Sequence, residues 1–363
     1  MPDLVVASAY GPTGASTRVR ALDWVRFLGL EAETHHYLGT QNVRPRTLAR
    51  QPLGVLRAER QLRALRRRPA PERLLVSRSM GPFTGGRLEE TLLSRAGWGV
   101  YDFDDAIFAT GAIGIYRVFG QSAGWSRAVR SADLVIAGNE YLAEAAGALN
   151  STVRVIPSCV DPDSYPQKQD YAVGSVPTVI WMGSPSTEGY LLEVSGALLD
   201  VHRRTGARLV VVSAGQRPLG ELDAMVDRVA WDGPRTDGLL AQADCGIMPL
   251  PDTPFTRGKN AYKLLQCGAA GLPVVGTPVG VNEQVLERLH GRAATDRESW
   301  VAALLDLLQE PEADRRARGQ AARAGVEAHY SYAAWAPVFR AALHLSPGVP
   351  QETAQAASPR PPR

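Results

Sequence analysis

The chain has 363 residues, of which 45% are hydrophobic and 21% charged, and its formal net charge is +3. This length accommodates two domains, and the composition is typical of a globular protein. The weak positive charge does not favour nucleic acid as a partner.

Cysteine usage and the apolar runs of the chain indicate its compartment. The cysteines Cys159, Cys245 and Cys267 are scattered singly, without metal-ligand spacing, which fits a reducing environment. The first residues lack the basic region and long apolar run of a signal peptide, and no run reaches the length of a membrane span. We therefore expect a cytoplasmic protein.

The first half of the sequence predicts alternating strands and helices. The short apolar segment 4–9 is typical of a buried strand, the glycine-containing segment 11–16 of a loop, and 17–29 of a helix. Further strands are predicted at Arg73–Ser77, Trp98–Phe103, Leu134–Ala137 and 153–156. A strand, a glycine loop and a helix in this order usually open a doubly wound α/β domain.

The second half predicts another α/β series after a proline-containing, weakly periodic linker at 162–177. Its strands are predicted at 179–182, Arg208–Ser213, 229–231, Cys245–Met248 and 273–276, with helices between them such as 190–205. A last helix is predicted at 331–345 and a disordered tail at 346–363. The predicted fold is α/β, with two Rossmann-like domains, 1–165 and 175–330, facing each other across a cleft.

The segment 44–73 is locally very basic. It contains ten arginines against two glutamates, and its leucines recur at roughly helical spacing. Such a face suits a membrane surface or an anionic acceptor. The simpler interpretation, which we favour, is a solvated helix, since most charge runs are solvated. Peripheral contact with the inner face of the membrane is the alternative.

The segment 256–276 joins a basic, glycine-containing loop to a helix, a turn and a buried strand. Arg257, Lys259 and Lys263 lie where the helix is predicted to begin, and free N–H groups at a helix start attract phosphate. Gly258 allows the backbone to approach a ligand closely. The segment therefore predicts a diphosphate cradle at the edge of a parallel sheet.

Carboxylates cluster where the strand Trp98–Phe103 ends, at Asp102, Asp104 and Asp105. We expect them to project into the cleft, because ligands bind beyond the carboxyl ends of parallel strands. We favour, in this order, contact with hydroxyls of a substrate, capping of a helix, and binding of a metal ion. After the last strand of the second series, Glu283 either contacts a hydroxyl of a substrate or caps the next helix.

Several segments together resemble family 4 glycosyltransferases of the GT-B fold. The strand and glycine loop at 179–191 are similar to the opening of their C-terminal domain, and 257–275 to their donor-binding helix and following strand. The segments 132–139 and 155–161 are similar to their interdomain crossover, and the acidic segment 101–108 to a feature of one branch. The resemblance extends over residues 4–345.

The resemblance implies an enzyme that moves a sugar from a UDP- or GDP-linked donor to an acceptor hydroxyl, with retention at the anomeric carbon. It implies no metal ion or other cofactor, and a last helix that crosses back onto the N-terminal domain. The acceptor can be a glycan, a lipid-linked intermediate or a small molecule.

The resemblance also implies roles for individual residues. The candidate catalytic residues are Arg257, Lys259, Asp104 and Asp105. The candidate donor-binding residues are Gly14, Ala15, Ser16, Gly183, Ser184, Trp231, Gly258, Lys263, Gln266 and Glu283. Trp231 is expected near the base, and Gln266 near the ribose hydroxyls.

Two departures from the family pattern keep other functions open. Gly258 and Gln266 stand where these enzymes commonly have glutamates, and 184–188 lacks the usual Arg and Lys after Gly183. The alternatives are a sugar-nucleotide epimerase of the same fold, and a degenerate member that binds a nucleotide or glycan as a partner subunit. An epimerase needs acid and base groups beside the sugar ring, and the donor loop supplies no such set.

Overall fold

The computed structural model describes residues 2–40, 43, 45–109, 121–232 and 234–346. Within these residues the chain forms two six-stranded sheets, and neighbouring strands pair in parallel throughout. Arg44 and all but the first residue of the predicted tail lie outside the described part. The predicted class, two facing Rossmann-like α/β domains, is confirmed.

The first sheet has the strand order β2-β1-β3-β4-β5-β6. Its strands are β1 Leu4–Ser8, β2 Ala32–His36, β3 Arg73–Ser77, β4 Trp98–Phe103, β5 Leu134–Ala137 and β6 Val153–Val155. The helices of this half are α1 Ala15–Thr17, α2 Asp23–Phe27, α3 Pro45–Ala49, α4 Pro52–Leu65, α5 Arg87–Leu93, α6 Gln121–Ser131 and α7 Glu140–Gly147. A π-helical turn, Arg18–Leu22, joins α1 to α2.

The second sheet has the order β12-β11-β10-β7-β8-β9. Its strands are β7 Thr178–Met182, β8 Arg208–Ser213, β9 Val226–Ala230, β10 Cys245–Met248, β11 Val274–Gly276 and β12 Arg292–Ala293. Its helices are α8 Ser195–Thr205, α9 Pro234–Gln242, α10 Tyr262–Ala269, α11 Asn282–Arg288, α12 Arg297–Gln309 and α13 Glu312–Tyr330, followed by α14 Tyr332–Ala342. Short 3₁₀ turns lie at Ile107–Ala109, Pro162–Ser164, Glu188–Val194, Gly220–Ala224 and Thr256–Gly258.

The strands are apolar because both faces of each sheet are covered. β5 is buried at every position, and so are β10 and β11. Strands buried on both faces show continuous apolar runs, which is why the sequence located them. The predicted helix 190–205 is divided in the structure into the 3₁₀ turn Glu188–Val194 and α8.

Helix α14 packs on the first sheet although it follows the second in the chain. Ser331 pairs with Val160 in an isolated parallel bridge and caps α14 by accepting a hydrogen bond from the Ala334 N–H. The rings of Phe339 and Trp24 then stack with centroids 4.2 Å apart. The chain thus returns to the first domain, where α14 packs through the stacked rings of Phe339 and Trp24.

Helix α4 carries most of the described arginine-rich segment. Ala58 and Leu62 are buried against the first sheet, whereas Leu53 is 80% exposed and Leu56 49% exposed. Apolar side chains therefore lie among arginines on the outer face of α4. Among the described residues, no helix combines the length and apolarity that crossing a membrane requires.

Candidate active site

A cleft of about 520 Å³ lies between the two domains, within the usual range of small-molecule sites. The loop before α1 and the residues after β4 border one side, and the loops after β7 and before α10 border the other. The predicted site residues that line it are Gly14, Ala15, Ser16, Asp104, Asp105, Gly183, Ser184, Trp231, Lys259, Lys263 and Gln266. The fold therefore gathers residues that are up to 252 positions apart, from Gly14 to Gln266.

The cleft contains an ion-pair cluster that links the domains. Lys259 Nζ lies 2.6 Å from Asp105 Oδ1, and Arg78 Nη1 lies 2.8 Å from Asp105 Oδ2. Burial opposes ionisation of Asp105, but Lys259 and Arg78 outweigh it and hold the pKa of this carboxyl below its usual value. Asp105 is therefore an ionised acceptor, paired with a cation from each domain.

Asp104 differs from its neighbour in having an oxygen without a hydrogen bond. Its Oδ1 lies 3.4 Å from Arg78 Nη1, and among the described residues it has no hydrogen-bond partner although it is buried. Its backbone carbonyl accepts a hydrogen bond of 2.6 Å from Asn260 Nδ2. The side chain of Asp104 is thus positioned in the cleft with one oxygen available to a ligand.

Asp102 does not project into the cleft, so the sequence-based expectation for this residue was wrong. Its carboxylate is buried and accepts hydrogen bonds from Arg20, the closest at 2.6 Å from Nη2. Arg20 Nη1 also donates to the carbonyl of Ile156. Asp102 still lies within β4 and faces Arg20 of the π-helical turn, whereas Asp104 follows the end of the strand and is released from its alternation.

Arg78 is a cleft-side residue that sequence reasoning missed. Its Nη1 donates to Ser16 Oγ at 3.0 Å as well as to Asp105. Its backbone has φ = 63°, a region that residues other than glycine rarely adopt, and its carbonyl accepts a hydrogen bond from the Tyr101 hydroxyl. The available signal was its position directly after β3, at the carboxyl edge of a parallel sheet.

Lys263 lies on the opposite side of the cleft. Burial and the neighbouring Lys259 lower the pKa of its ammonium group to about 8. Its Nζ lies 5.4 Å from the ring centroid of Trp181. A Cβ at Gly183 would approach Lys263 Cε and Trp181 to 2.6 Å, so only glycine leaves room for this arrangement.

Two polar side chains border the region beyond Lys263. Gln266 is nearly buried, and its Nε2 donates to the Tyr165 hydroxyl at 3.2 Å. Ser184 Oγ lies 2.9 Å from Ser186 Oγ within the loop after β7. Buried Glu188 anchors this loop, because it accepts hydrogen bonds from Ser213 Oγ and the Arg217 N–H.

Three predicted site residues lie outside the cleft lining. The Arg257 guanidinium is exposed and forms a bidentate pair with Asp252. Glu283 is exposed in the first turn of α11. Gly258 is buried at the contact between domains, where a Cβ would lie 2.7 Å from Ala106 Cβ.

Asn139 forms hydrogen bonds between the two domains beside the cleft, a role that the sequence did not predict. Its Nδ2 donates to the carbonyls of Gly258 and Lys259 and to Asn260 Oδ1. Its Oδ1 accepts from the Leu142 N–H and caps α7. The interdomain hydrogen bonds thus fix the backbone that carries Lys259.

Comparisons with known proteins agree with this architecture. Residues 176–310 match the model of a family described as glycosyl transferases group 1. The fold matches HepE of Anabaena, solved with UDP and glucose, with a TM-score of 0.67 and 16% identity over 95% of this chain and 100% of that one. The chain has the GT-B fold. No curated protein matches the sequence significantly.

Two further solved structures share the GT-B fold with this chain. A UDP-forming α,α-trehalose-phosphate synthase from Burkholderia xenovorans matches with a TM-score of 0.67 and 12% identity, over 95% of this chain and 99% of that one. WaaG, a glycosyltransferase of lipopolysaccharide biosynthesis, matches with a TM-score of 0.63 and 15% identity, over 95% of this chain and 100% of that one.

Proposed function

We propose that this protein is a retaining glycosyltransferase, which moves a sugar from a nucleoside diphosphate sugar to an acceptor hydroxyl. The observation that carries the proposal is the convergence of Lys259 and Lys263 with two glycine loops on one interdomain cleft. One side of that cleft belongs to the region that matches the group 1 glycosyl transferase model.

Lys259 and Lys263 are the proposed cations for the diphosphate. Departure of a sugar places growing negative charge on the leaving phosphate, and fixed cations in a shielded site stabilise that charge. The Ser184 hydroxyl and the loop that contains Gly14 border the same space and add short polar contacts. Because Arg257 is paired with Asp252 outside the cleft, its predicted catalytic role requires a movement of its loop.

Retention of the anomeric configuration is proposed because Asp105 is engaged by cations. Asp105 is held by two cations, which makes it a poor nucleophile for the anomeric carbon. In front-face transfer the leaving phosphate itself takes the acceptor proton, so no strong protein base is required. Asp104, whose Oδ1 lacks a hydrogen bond among the described residues, is proposed to orient a hydroxyl of the donor sugar or acceptor.

UDP is the proposed nucleotide rather than GDP. The HepE structure contains UDP, and the Burkholderia trehalose-phosphate synthase forms UDP. Trp231 borders the cleft and offers a ring and a backbone edge to the base, while Gln266 offers an amide to the ribose hydroxyls. The acceptor classes remain a glycan, a lipid-linked intermediate or a small molecule.

Transfer without a metal ion is part of the proposal. Asp105 is engaged by Arg78 and Lys259, which supply positive charge where a metal ion would otherwise be needed. Transfer should therefore continue in EDTA at the rate seen without it. A loss of transfer that Mg²⁺ or Mn²⁺ restores would overturn this part.

The outer face of α4 is proposed to contact an anionic membrane surface. Exposed Leu53 and Leu56 lie among arginines, and such a surface combines apolar burial with charge attraction. Sedimentation with vesicles of phosphatidylglycerol, compared with phosphatidylcholine alone, should show binding that Leu53→Ser/Leu56→Ser reduces. Equal sedimentation with both vesicle types would leave α4 as a solvated helix.

Incubation with a panel of UDP- and GDP-linked sugars tests the proposed function. Slow release of UDP, with a product whose anomeric configuration by NMR matches the donor, is expected. An isomerised nucleotide sugar would identify an epimerase instead. Binding without turnover of any donor would identify a partner subunit that has lost catalysis.

A further inference from the structure

A second cavity, which we call the side pocket, opens beside the cleft in the first domain and has a volume of about 70 Å³. It shares Tyr10 and Val43 with the cleft lining. Arg78 borders the side pocket, while its Nη1 contacts Ser16 and Asp105, both of which line the cleft. The side pocket therefore adjoins the cleft beside Arg78.

Glycines create the space for the side pocket. Gly86, at the start of α5, approaches α6 so closely that a Cβ would lie 2.5 Å from the Gly124 Cα. Gly81 and Gly85 border the same space. Glu89 of α5 and Trp125 of α6 border the side pocket from the two helices of this contact. The other polar residues of the lining are Tyr10, Arg78, Ser79 and Thr84.

One carboxyl oxygen of Glu89 accepts hydrogen bonds from the protein, and the other does not. Its Oε1 accepts from the Met80 N–H at 2.7 Å and from Thr84 Oγ1 at 2.8 Å. Its Oε2 is buried and has no hydrogen-bond partner among the described residues, although the residue is only 1% exposed. The carboxyl is thus fixed in position with an acceptor available.

Trp125 supplies an unpartnered donor. Its ring packs against Phe103 and Phe108, with centroids 5.7 and 5.0 Å away, and the residue is 6% exposed. Its indole Nε1 is buried and has no hydrogen-bond partner among the described residues. An unsatisfied N–H at such depth costs free energy until a ligand or water accepts from it.

The chemistry of these two atoms selects the ligand group. A hydroxyl both accepts and donates, so it can satisfy the indole N–H and the carboxyl oxygen together. A carboxylate or a fully ionised phosphate has no proton to donate to Glu89 Oε2, although Arg78 borders the same pocket, and an ammonium group has no lone pair for Trp125 Nε1. The volume suits a group of a few atoms rather than a whole ring.

We propose that the side pocket binds a hydroxymethyl group of a sugar acceptor, with Trp125 Nε1 donating to its oxygen and Glu89 Oε2 accepting from it. This proposal rests on the proposed transferase function, since the acceptor must reach a sugar donor in the adjoining cleft. Glu89 and Trp125 would then select acceptors without taking part in the transfer chemistry.

Ligand-observed NMR on the full chain saturated with UDP tests the proposal. The probes are methyl α-D-glucopyranoside and methyl α-D-galactopyranoside, each compared with its 6-deoxy analogue. The wild type should bind the hydroxymethyl glycosides about tenfold more tightly, since a site built for a hydroxyl rejects the analogue that lacks it. Glu89→Gln, which keeps an oxygen for Met80, and Trp125→Phe, which keeps an aromatic ring, should each remove most of this preference.

Matched variants and the UDP affinity separate the possible failures. Glu90→Gln, at the exposed neighbouring position of α5, should retain the preference. If UDP itself does not bind to the wild type, the proposed function fails and this inference fails with it. If UDP binds, the assignment of the side pocket is overturned when the wild type shows no preference for the hydroxymethyl glycosides, or when both variants retain it.

Discussion

Lys259 is held in place before any ligand arrives. Its ammonium group meets Asp105 of the other domain at 2.6 Å, and its carbonyl accepts from Asn139. A cation fixed in this way needs little rearrangement to stabilise charge on a leaving diphosphate, and such preorganisation is the main source of electrostatic catalysis. Arg257, two residues earlier, points away and pairs with Asp252.

Replacement of Lys259 should affect turnover more than substrate binding. We expect Lys259→Ala to lower kcat about 10²- to 10³-fold, because the contact with the leaving group strengthens as charge develops. Arg257→Ala should cause a much smaller loss. Steady-state kinetics with the preferred donor measure both, and equal losses in the two variants would contradict the placement of Lys259 as the main catalytic cation.

Lys263 should make UDP binding depend on pH. Its pKa of about 8 lies below the usual value for lysine, so the ammonium form that attracts a diphosphate disappears as the pH rises through this value. Between pH 7 and pH 9 the affinity for UDP should fall up to about tenfold. Calorimetric titration at both pH values measures the change, and Lys263→Met should show weaker binding with little of this dependence.

Some site residues could be identified from one short segment of sequence, whereas others depend on contacts between distant parts of the chain. Lys259 and Lys263 stand next to a predicted helix start, so their position near a ligand followed from a short segment. The position of Arg78 depends on its strained backbone and on Asp105, which follows another strand, and no single segment reveals both. Arg257 lies within the 3₁₀ turn and pairs with Asp252, whereas Lys259 follows the turn in an extended conformation.

At the scale of elements, the buried pair of Arg20 and Asp102 ties the π-helical turn to β4. Both side chains are almost completely buried, and Arg20 also reaches the carbonyl of Ile156 near β6. Burial raises the pKa of Asp102 to about 6, whereas Arg20 opposes that shift. The pair thereby positions the helix whose first residues border the cleft.

Removal of one partner of this pair should destabilise the first domain strongly. We expect Asp102→Ala to lower the free energy of unfolding by about 3–5 kcal/mol, because it leaves the Arg20 charge buried and unpaired. Arg26→Ala, on the exposed side of α2, should cost less than about 1 kcal/mol. Urea unfolding followed by circular dichroism measures both, and similar losses would show that the pair does not hold the helix to the sheet.

The buried strands could be predicted from the sequence, whereas the shortest elements could not. Buried parallel strands such as β5 and β10 are continuous apolar runs between polar segments, and their limits were predicted to the residue. β12 has two residues, too few to show any periodicity, and it was not predicted. The 3₁₀ turn Thr256–Gly258 has three residues, which are also too few to show a periodic pattern.

At the scale of the whole molecule, the two domains are held close by small residues and amides. Gly258 packs on Ala106, and Gly138 lies against the side chain of Asn260. Asn139 donates across the same boundary. This contact keeps Lys259 beside Asp105, so the geometry of the cleft depends on the distance between the domains.

A side chain added at Gly258 should separate the domains. In Gly258→Ala the new Cβ would lie 2.8 Å from the Ala106 nitrogen, which is backbone and cannot rotate away. We expect a larger radius of gyration by small-angle X-ray scattering and a loss of turnover. Gly147→Ala, where nothing lies within 4 Å in a helix, should preserve both properties. An unchanged Gly258→Ala protein would show that the contact is not needed.

Calorimetric titration with UDP is the sharpest test of whether the interdomain cleft is a nucleotide-sugar site. We expect the wild type to bind one UDP per chain and Gly183→Val to lose binding, because the new side chain collides with Lys263 and Trp181. Absence of UDP binding by the wild type, or undiminished binding by a folded Gly183→Val protein, would contradict this assignment of the cleft.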